Sequence, residues 1–246
     1  MPLSVDWRFD GSVVLITGGG SGIGAASARA CAAAGAKVIA ADHDPKRVAS
    51  MQGIANIEAV QLDVADAAAV RALVAGILAR HGRVDAAVMA AAIQMRTMTE
   101  AISDAEWRRH QAVNIDGVFH CVRELIPAMQ RQRSGSLLAF TSGLVGIGQA
   151  GASAYAASKG AITGFMKCVA QELRPYGARA NVLSPGLMAT PIWLDVADQA
   201  ERDAYANSVG VSPPEDVVPT VLHLISDASA SLTGAVIERR LVPGGK

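Results

Sequence analysis

The sequence predicts a three-layer α/β fold, a doubly wound parallel sheet with helices on both faces. Three observations carry that expectation. Short apolar runs recur along the chain, long Ala-rich stretches with helical character separate them, and 246 residues suit one large domain of this class. Strands covered on both faces read as continuous hydrophobic runs, and parallel neighbours need a crossover, usually helical, between them.

The elements follow in order. A first strand is expected at 12–17 (SVVLIT), then a Gly-rich turn and a helix to about 34, which Gly35 ends. Further strands read at 37–41, 57–61, 86–90, 136–141 and 179–183, with helices at 66–81, 104–130 and 152–176. Ser103-Asp-Ala-Glu106 has capping-box form, in which each side chain can satisfy the other end's free amide. Ser212-Pro-Pro-Glu215 repeats that form, with Pro213 expected at the first helical position. The stretch 190–211 has no strong strand signal and precedes a Pro pair, so a loop or short-helix lid is expected there. No repeat, linker or second domain is visible, and residues 1–246 are expected to fold as one domain.

Composition excludes several function classes. With 22 basic and 22 acidic residues the formal net charge is zero, which offers no field for a nucleic-acid backbone or an anionic membrane. The densest basic clusters, Arg108-Arg109 and Arg131 with Arg133, read as solvated helix ends. Cys31, Cys121 and Cys168 are far apart, lack metal-ligand spacing, and read as small core residues of a reduced protein. No metal site is expected. The first ten residues form no signal, and no run approaches the roughly 20 apolar residues of a membrane span, so a cytoplasmic protein is expected.

Chemistry concentrates at the strand ends. In Thr17-Gly-Gly-Gly-Ser-Gly-Ile-Gly24, glycines at Gly18, Gly22 and Gly24 allow a tight turn and a close approach to a pyrophosphate. The following helix N-terminus offers free N–H groups and a positive dipole end. Asp42 closes the second strand, where a carboxylate can accept from both ribose hydroxyls and repel a 2′-phosphate. No Lys or Arg stands at Gly19, Gly20, Ser21 or His43, so NAD(H) is favoured over NADP(H). Asp-His-Asp-Pro is also turn-like, and Asp42 as a turn cap stays open. Asp63 could contact an adenine or cap its loop. Tyr155 and Lys159, four apart on one expected helix, share a face, so an ammonium can stabilise a phenolate whose free pKa is near 10. Ser142 ends the preceding strand and could bond a substrate oxygen.

Over nearly the whole chain these motifs resemble the short, single-domain members of the short-chain dehydrogenase/reductase family, which have a Rossmann-type fold. The loop 17–24 matches the family's TGxxxGxG, Tyr155 and Lys159 its YxxxK, Ser142 its serine, and Asn114 its helix asparagine. Asn181 with Ser184-Pro-Gly186, Thr190, and Thr233-Gly234 match three later elements. The resemblance implies that residues up to about 135 hold a dinucleotide and that 136–246 carry catalysis and substrate, under a lid at about 190–211. It implies cofactor contacts from Gly18, Ser21, Gly22, Ile23, Gly24, Asp42, Asp63, Val64, Ala90, Ala91, Ala92, Tyr155, Lys159, Pro185, Gly186 and Thr190. Ser142, Tyr155, Lys159 and Asn114 would be catalytic, with Tyr155 as general acid and base and the Asn114 carbonyl on a proton-relay water. Substrate would meet Ser142, Gly143, Gln149, Tyr155, Leu187 and Trp193. The implied reaction interconverts a small secondary alcohol and its ketone, uncharged or cyclic because the surrounding loops are mostly apolar. The implied assembly is a homotetramer or dimer.

Two departures stand out. Met89-Ala90-Ala91-Ala92 replaces the family's Asn-Asn-Ala-Gly, removing side-chain bonds near the adenosine ribose. Glu238-Arg-Arg240 stands where relatives have an acid before a Gly pair. The first leaves an alternative open, a dinucleotide-binding sensor or scaffold without turnover.

Overall fold

A computed structural model describes residues 5–208 and 210–239. Seven strands, β1 (Val13–Thr17), β2 (Lys37–Asp42), β3 (Ile57–Gln61), β4 (Ala86–Met89), β5 (Ser136–Phe140), β6 (Arg179–Ser184) and β7 (Val236–Glu238), form one sheet. Their order is β3-β2-β1-β4-β5-β6-β7 and every pairing is parallel. The chain winds outward in both directions from β1 and β4, so a crevice opens beyond their C-terminal ends.

The helices are α1 (Gly22–Ala33), α2 (Pro45–Met51), α3 (Ala67–His81), α4 (Asp104–His110), α5 (Gly117–Gln132), α6 (Leu144–Ile147), α7 (Ser153–Leu173), α8 (Pro191–Leu194), α9 (Gln199–Asn207) and α10 (Val218–Ile225). Alternation along each strand divides the core in two. Val13 and Leu15 face Val74 and Ile77 of α3, Leu125 of α5 and Met166 of α7. Val14 and Ile16 face Ala28 of α1 and Val221 of α10 on the other side. Period-2 side chains on strands that are apolar throughout make this two-faced burial possible. The α/β reading therefore holds as predicted.

Four local expectations are corrected. The helix at 104–130 is interrupted, because Gln111–Asp116 forms a π-turn in which the Gly117 N–H bonds the Ala112 carbonyl. At Ser103 only half of the capping box forms. The hydroxyl accepts from the Glu106 N–H at 3.1 Å, but the Glu106 carboxylate accepts from the Thr97 hydroxyl at 3.0 Å instead of returning. Ser212 does not cap a helix, since Arg239 donates to its hydroxyl at 3.1 Å and a 3₁₀ turn begins at Pro214, not Pro213. Cys168 is exposed, whereas Cys31 and Cys121 lie in the core. Among the described residues no helix is long and apolar enough to cross a membrane.

Candidate active site

The glycine loop is shaped by close approaches that exclude side chains. Gly18 has φ +66°, and a Cβ there would lie 2.7 Å from the Ala91 nitrogen. A Cβ on Gly24 would lie 2.1 Å from the Gly18 carbonyl oxygen, so the start of α1 rests directly on the loop. Gly22 faces Thr190 across the crevice, with Cβ-to-Cγ2 space of 3.0 Å. The Ser21 side chain makes no capping bond to α1, although its carbonyl accepts from the Ala25 N–H at 3.1 Å, and the first turn, with Ile23, opens helical N–H groups toward the crevice. This cradle, closed on one side by Thr190, fits a dinucleotide pyrophosphate.

Asp42 is buried at the end of β2. One carboxylate oxygen accepts from the Gly20 N–H and the other from the Asp44 N–H, each at 3.1 Å. It therefore braces the glycine loop and caps the turn together. Arg47, on a helix absent from the sequence reading, packs so close that a Cβ on Gly20 would lie 2.6 Å from its Cβ. Its guanidinium turns to Asp44 at 3.6 Å. The clue was Asp44-Pro45, a helix cap read only as a turn. Asp63 accepts from the Ala65 N–H at 2.9 Å and pairs with Arg109 at 3.5 Å. Val64 packs on Gly117 of α5, leaving no room for a Cβ there.

The β4 end is tied without asparagine side chains. The Ala90 N–H bonds the Thr17 carbonyl at 3.1 Å, and the Ala91 N–H reaches the Thr17 hydroxyl at 3.4 Å. Beyond Ala92, Asn114 clamps Ile93 by accepting from its N–H at 2.8 Å and donating to its carbonyl at 3.0 Å. The same amide donates to Ser158 at 2.9 Å, and Ser158 in turn donates to the Tyr155 carbonyl at 2.7 Å. Asn114 thus fixes the loop after β4 to the helix bearing Tyr155 and Lys159. Its position in the π-turn is of the kind often found at functional sites.

Ser142, Tyr155 and Lys159 come together as the spacing suggested. Ser142 follows β5, accepts from the Leu144 N–H at 3.2 Å, and stands beside the Tyr155 phenol, whose pKa it lowers. The Lys159 ammonium lies 5.6 Å from the Tyr155 ring centroid and donates to the Phe140 carbonyl at 3.1 Å. Burial pushes the Tyr155 phenol up to about 12, partly countered by the Ser142 hydroxyl beside it. Burial brings Lys159 down to about 8. The phenol is therefore protonated at neutral pH, positioned to donate to an oxygen held by Ser142. A cation beside it, whether Lys159 or an oxidised ring, favours the phenolate.

The segment after β6 runs beside the glycine loop, where Thr190 approaches Gly22. Gly186 has φ +79°, and Arg239 donates to the Pro185 carbonyl at 3.2 Å. With a further pairing to Asp216 at 3.8 Å, this gives the unusual C-terminal arginine its role; Arg240 lies outside the described residues. Leu187 pairs with Ser212, whose N–H bonds its carbonyl at 3.1 Å. Trp193 is buried in α8, edge-on to Tyr205. Gly143 precedes α6. Gln149 is committed elsewhere, donating to Glu201 of α9 at 3.1 Å. Ser158 and Glu201 had no motif to announce them, and the roles of Thr17 and Arg239, both noted in the sequence, rest on partners distant in the chain.

Comparison with known proteins agrees with this geometry. A family model described as short chain dehydrogenase matches residues 12–201. The short-chain reductase protein NovJ of Streptomyces niveus is 34% identical, covering 96% of this chain and 94% of that protein. The 2,3-dihydro-2,3-dihydroxybenzoate dehydrogenase of Escherichia coli is also 34% identical, over 96% of this chain and 97% of its own. The crystal structure of gox2181 superposes with a TM-score of 0.86 at 31% identity, covering 94% and 95% of the two chains. This chain belongs to the short-chain dehydrogenase/reductase family, oxidoreductases that use nicotinamide cofactors.

Proposed function

We propose that the protein is an NAD(H)-dependent dehydrogenase/ketoreductase that interconverts a small, uncharged or cyclic secondary alcohol and its ketone. The carrying observation is the Lys159 ammonium 5.6 Å from the ring centroid of the buried Tyr155 phenol, with Ser142 beside the same phenol. Tyr155 gives its proton to the carbonyl oxygen in reduction and takes it back in oxidation, and Ser142 orients that oxygen. Lys159 holds the nicotinamide ribose and favours the phenolate, and the Asn114 carbonyl holds a relay water. A bound nicotinamide supplies or accepts the hydride. Residues up to about 135 serve the cofactor and the remainder serves catalysis and substrate. Among relatives, the dihydrodihydroxybenzoate dehydrogenase name describes a cyclic diol that also carries a carboxylate, and only its ring bears on a ring-sized substrate here.

NAD(H) rests on the buried Asp42 carboxylate, which would oppose a 2′-phosphate, while the Arg47 guanidinium pairs with Asp44. A cytoplasmic homotetramer or dimer completes the proposal, with no nucleic-acid or membrane partner. The non-catalytic alternative loses weight, because Ser142, Tyr155, Lys159 and Asn114 are all present, and Thr17 and Asn114 still tie the backbone after β4. The test is NADH consumption against a panel of cyclic ketones and diketones, with NADPH and Tyr155→Phe in parallel. Turnover should be faster with NADH, and Tyr155→Phe should bind NADH normally but lose about 10²–10⁴-fold in kcat. Tighter binding of NADPH would falsify the cofactor assignment, and retained turnover in the variant would remove Tyr155 from the mechanism.

A further inference from the structure

Three successive residues leaving β6 rest on Arg239. The Arg239 N–H bonds the Ser184 carbonyl at 2.9 Å, and Nη1 donates to the Pro185 carbonyl at 3.2 Å. Gly186 lies so close that an added Cβ would stand 3.1 Å from the Arg239 carbonyl oxygen, at a φ of +79° that already favours glycine. Nη1 also donates to the Ser212 hydroxyl at 3.1 Å, and Nη2 faces Asp216 at 3.8 Å. The Arg239 side chain is 18% exposed and Ser212 is buried. Losing either partner would therefore leave a largely dehydrated polar group unpaired.

Ser212 carries this hold onward. Its hydroxyl donates to Met188 Sδ at 3.7 Å, and its N–H bonds the Leu187 carbonyl at 3.1 Å. Its carbonyl accepts from the Ala189 N–H at 2.9 Å. Thr190 follows directly, with its Cγ2 3.0 Å from where a Cβ on Gly22 would stand. One guanidinium thus joins both ends of the excursion 185–212, and through Ser212 it sets how closely Thr190 approaches the glycine loop.

The sheet order tells which half of a dinucleotide this hold touches. Asp42 ends β2 and the glycine loop follows β1, whereas Ser142 follows β5, with β6 next to it. The Thr141 N–H bonds the Leu183 carbonyl at 3.0 Å, so the exit from β6 starts alongside Ser142. Between β2 and β6 stand β1, β4 and β5, which puts their ends about 19 Å apart at about 4.8 Å per strand. A dinucleotide with its pyrophosphate on the glycine loop and its reacting ring at Tyr155 has its nicotinamide half on the β6 side. Its adenosine half stays at Asp42, remote from Arg239.

We infer that Arg239 is a positioning residue for the nicotinamide half of the cofactor. Acting through Pro185, Gly186 and Ser212, it holds the segment 185–190 against the crevice and leaves the adenosine half untouched. This rests on the proposed placement of the cofactor.

The experiment is calorimetric binding to wild type, Arg239→Met and Ser212→Ala. NADH is compared with ADP-ribose, which lacks the nicotinamide, and NADPH with 2′-phospho-ADP-ribose. Arg239→Met should lose at least tenfold in affinity for the complete dinucleotide and less than twofold for its nicotinamide-free counterpart. Ser212→Ala deletes a single hydroxyl and should show the same asymmetry at threefold or more, which keeps the test alive if Arg239→Met does not fold. A merely structural arginine would weaken both ligands alike. An unchanged ratio of the two affinities in a folded variant, whether from equal losses or from none, therefore overturns the inference. Wild type that prefers NADPH would defeat the cofactor preference alone, because the same ratio is then read from the phosphorylated pair. Wild type that binds neither dinucleotide would overturn both.

Discussion

Tyr155 and Lys159 show how burial sets individual residues against each other. Each is neutral more readily than in water, the phenol because its pKa is pushed up to about 12 and the amine because its own falls to about 8. An additional positive charge in the crevice favours the phenolate, so proton transfer is coupled to what the crevice holds. The same burial gives the fold a definite pH dependence. Lys159 ordinarily titrates near 10.5, so between about 8 and 10.5 the unfolded chain binds more protons and the Lys159 contribution to stability rises with pH. Tyr155 acts oppositely, losing stability as pH rises from 10 toward about 12. Lys159→Met should therefore gain on wild type in urea unfolding at pH 7 and lose that advantage as pH approaches 10.5. An advantage independent of pH would mean that Lys159 carries no buried-charge penalty.

At the scale of elements, the site depends on backbones brought closer than side chains allow. Gly18 joins β1 to the end of β4 with a left-handed φ and main-chain atoms under 3 Å from any added Cβ. Gly18→Ala should cost about 1–3 kcal/mol in stability, from left-handed strain and forced separation of these strands. It should also weaken NADH binding, both readable by thermal unfolding with and without NADH. A variant as stable as wild type with unchanged NADH affinity would show that the loop relaxes freely. The π-turn has the same logic. Gly117 must meet Val64, and the inserted turn carries Asn114 to a place where one amide joins β4's loop to α7.

For the whole molecule, the sheet order makes the site, and the outer helices bear on assembly. Phe119 of α5 is 38% exposed, edge-on to Phe165 of α7, with Arg123 over its ring at 4.9 Å. Such a face suits pairing of copies through α5 and α7. Light scattering after size exclusion should give a tetramer or dimer, and Phe119→Glu a smaller species. A monomeric wild type would end the assembly proposal.

Strand runs, the glycine loop, Asp42 and the Tyr155-to-Lys159 spacing were legible because each is local: burial on both faces demands continuous apolar residues, and a shared helix face demands a spacing of four. The sequence by itself therefore determined the α/β class, the glycine loop at the end of β1 and the shared face of Tyr155 and Lys159. Only tertiary structure decided what depends on distant partners. Glu106 accepts from Thr97 and Ser212 from Arg239, partners that no local capping pattern contains. The π-turn, the brace of Thr17 on Ala91, and the Arg96–Glu201–Gln149 cluster likewise join segments far apart in the chain. No local pattern encodes such contacts, since they exist only once the sheet has brought its loops to one edge.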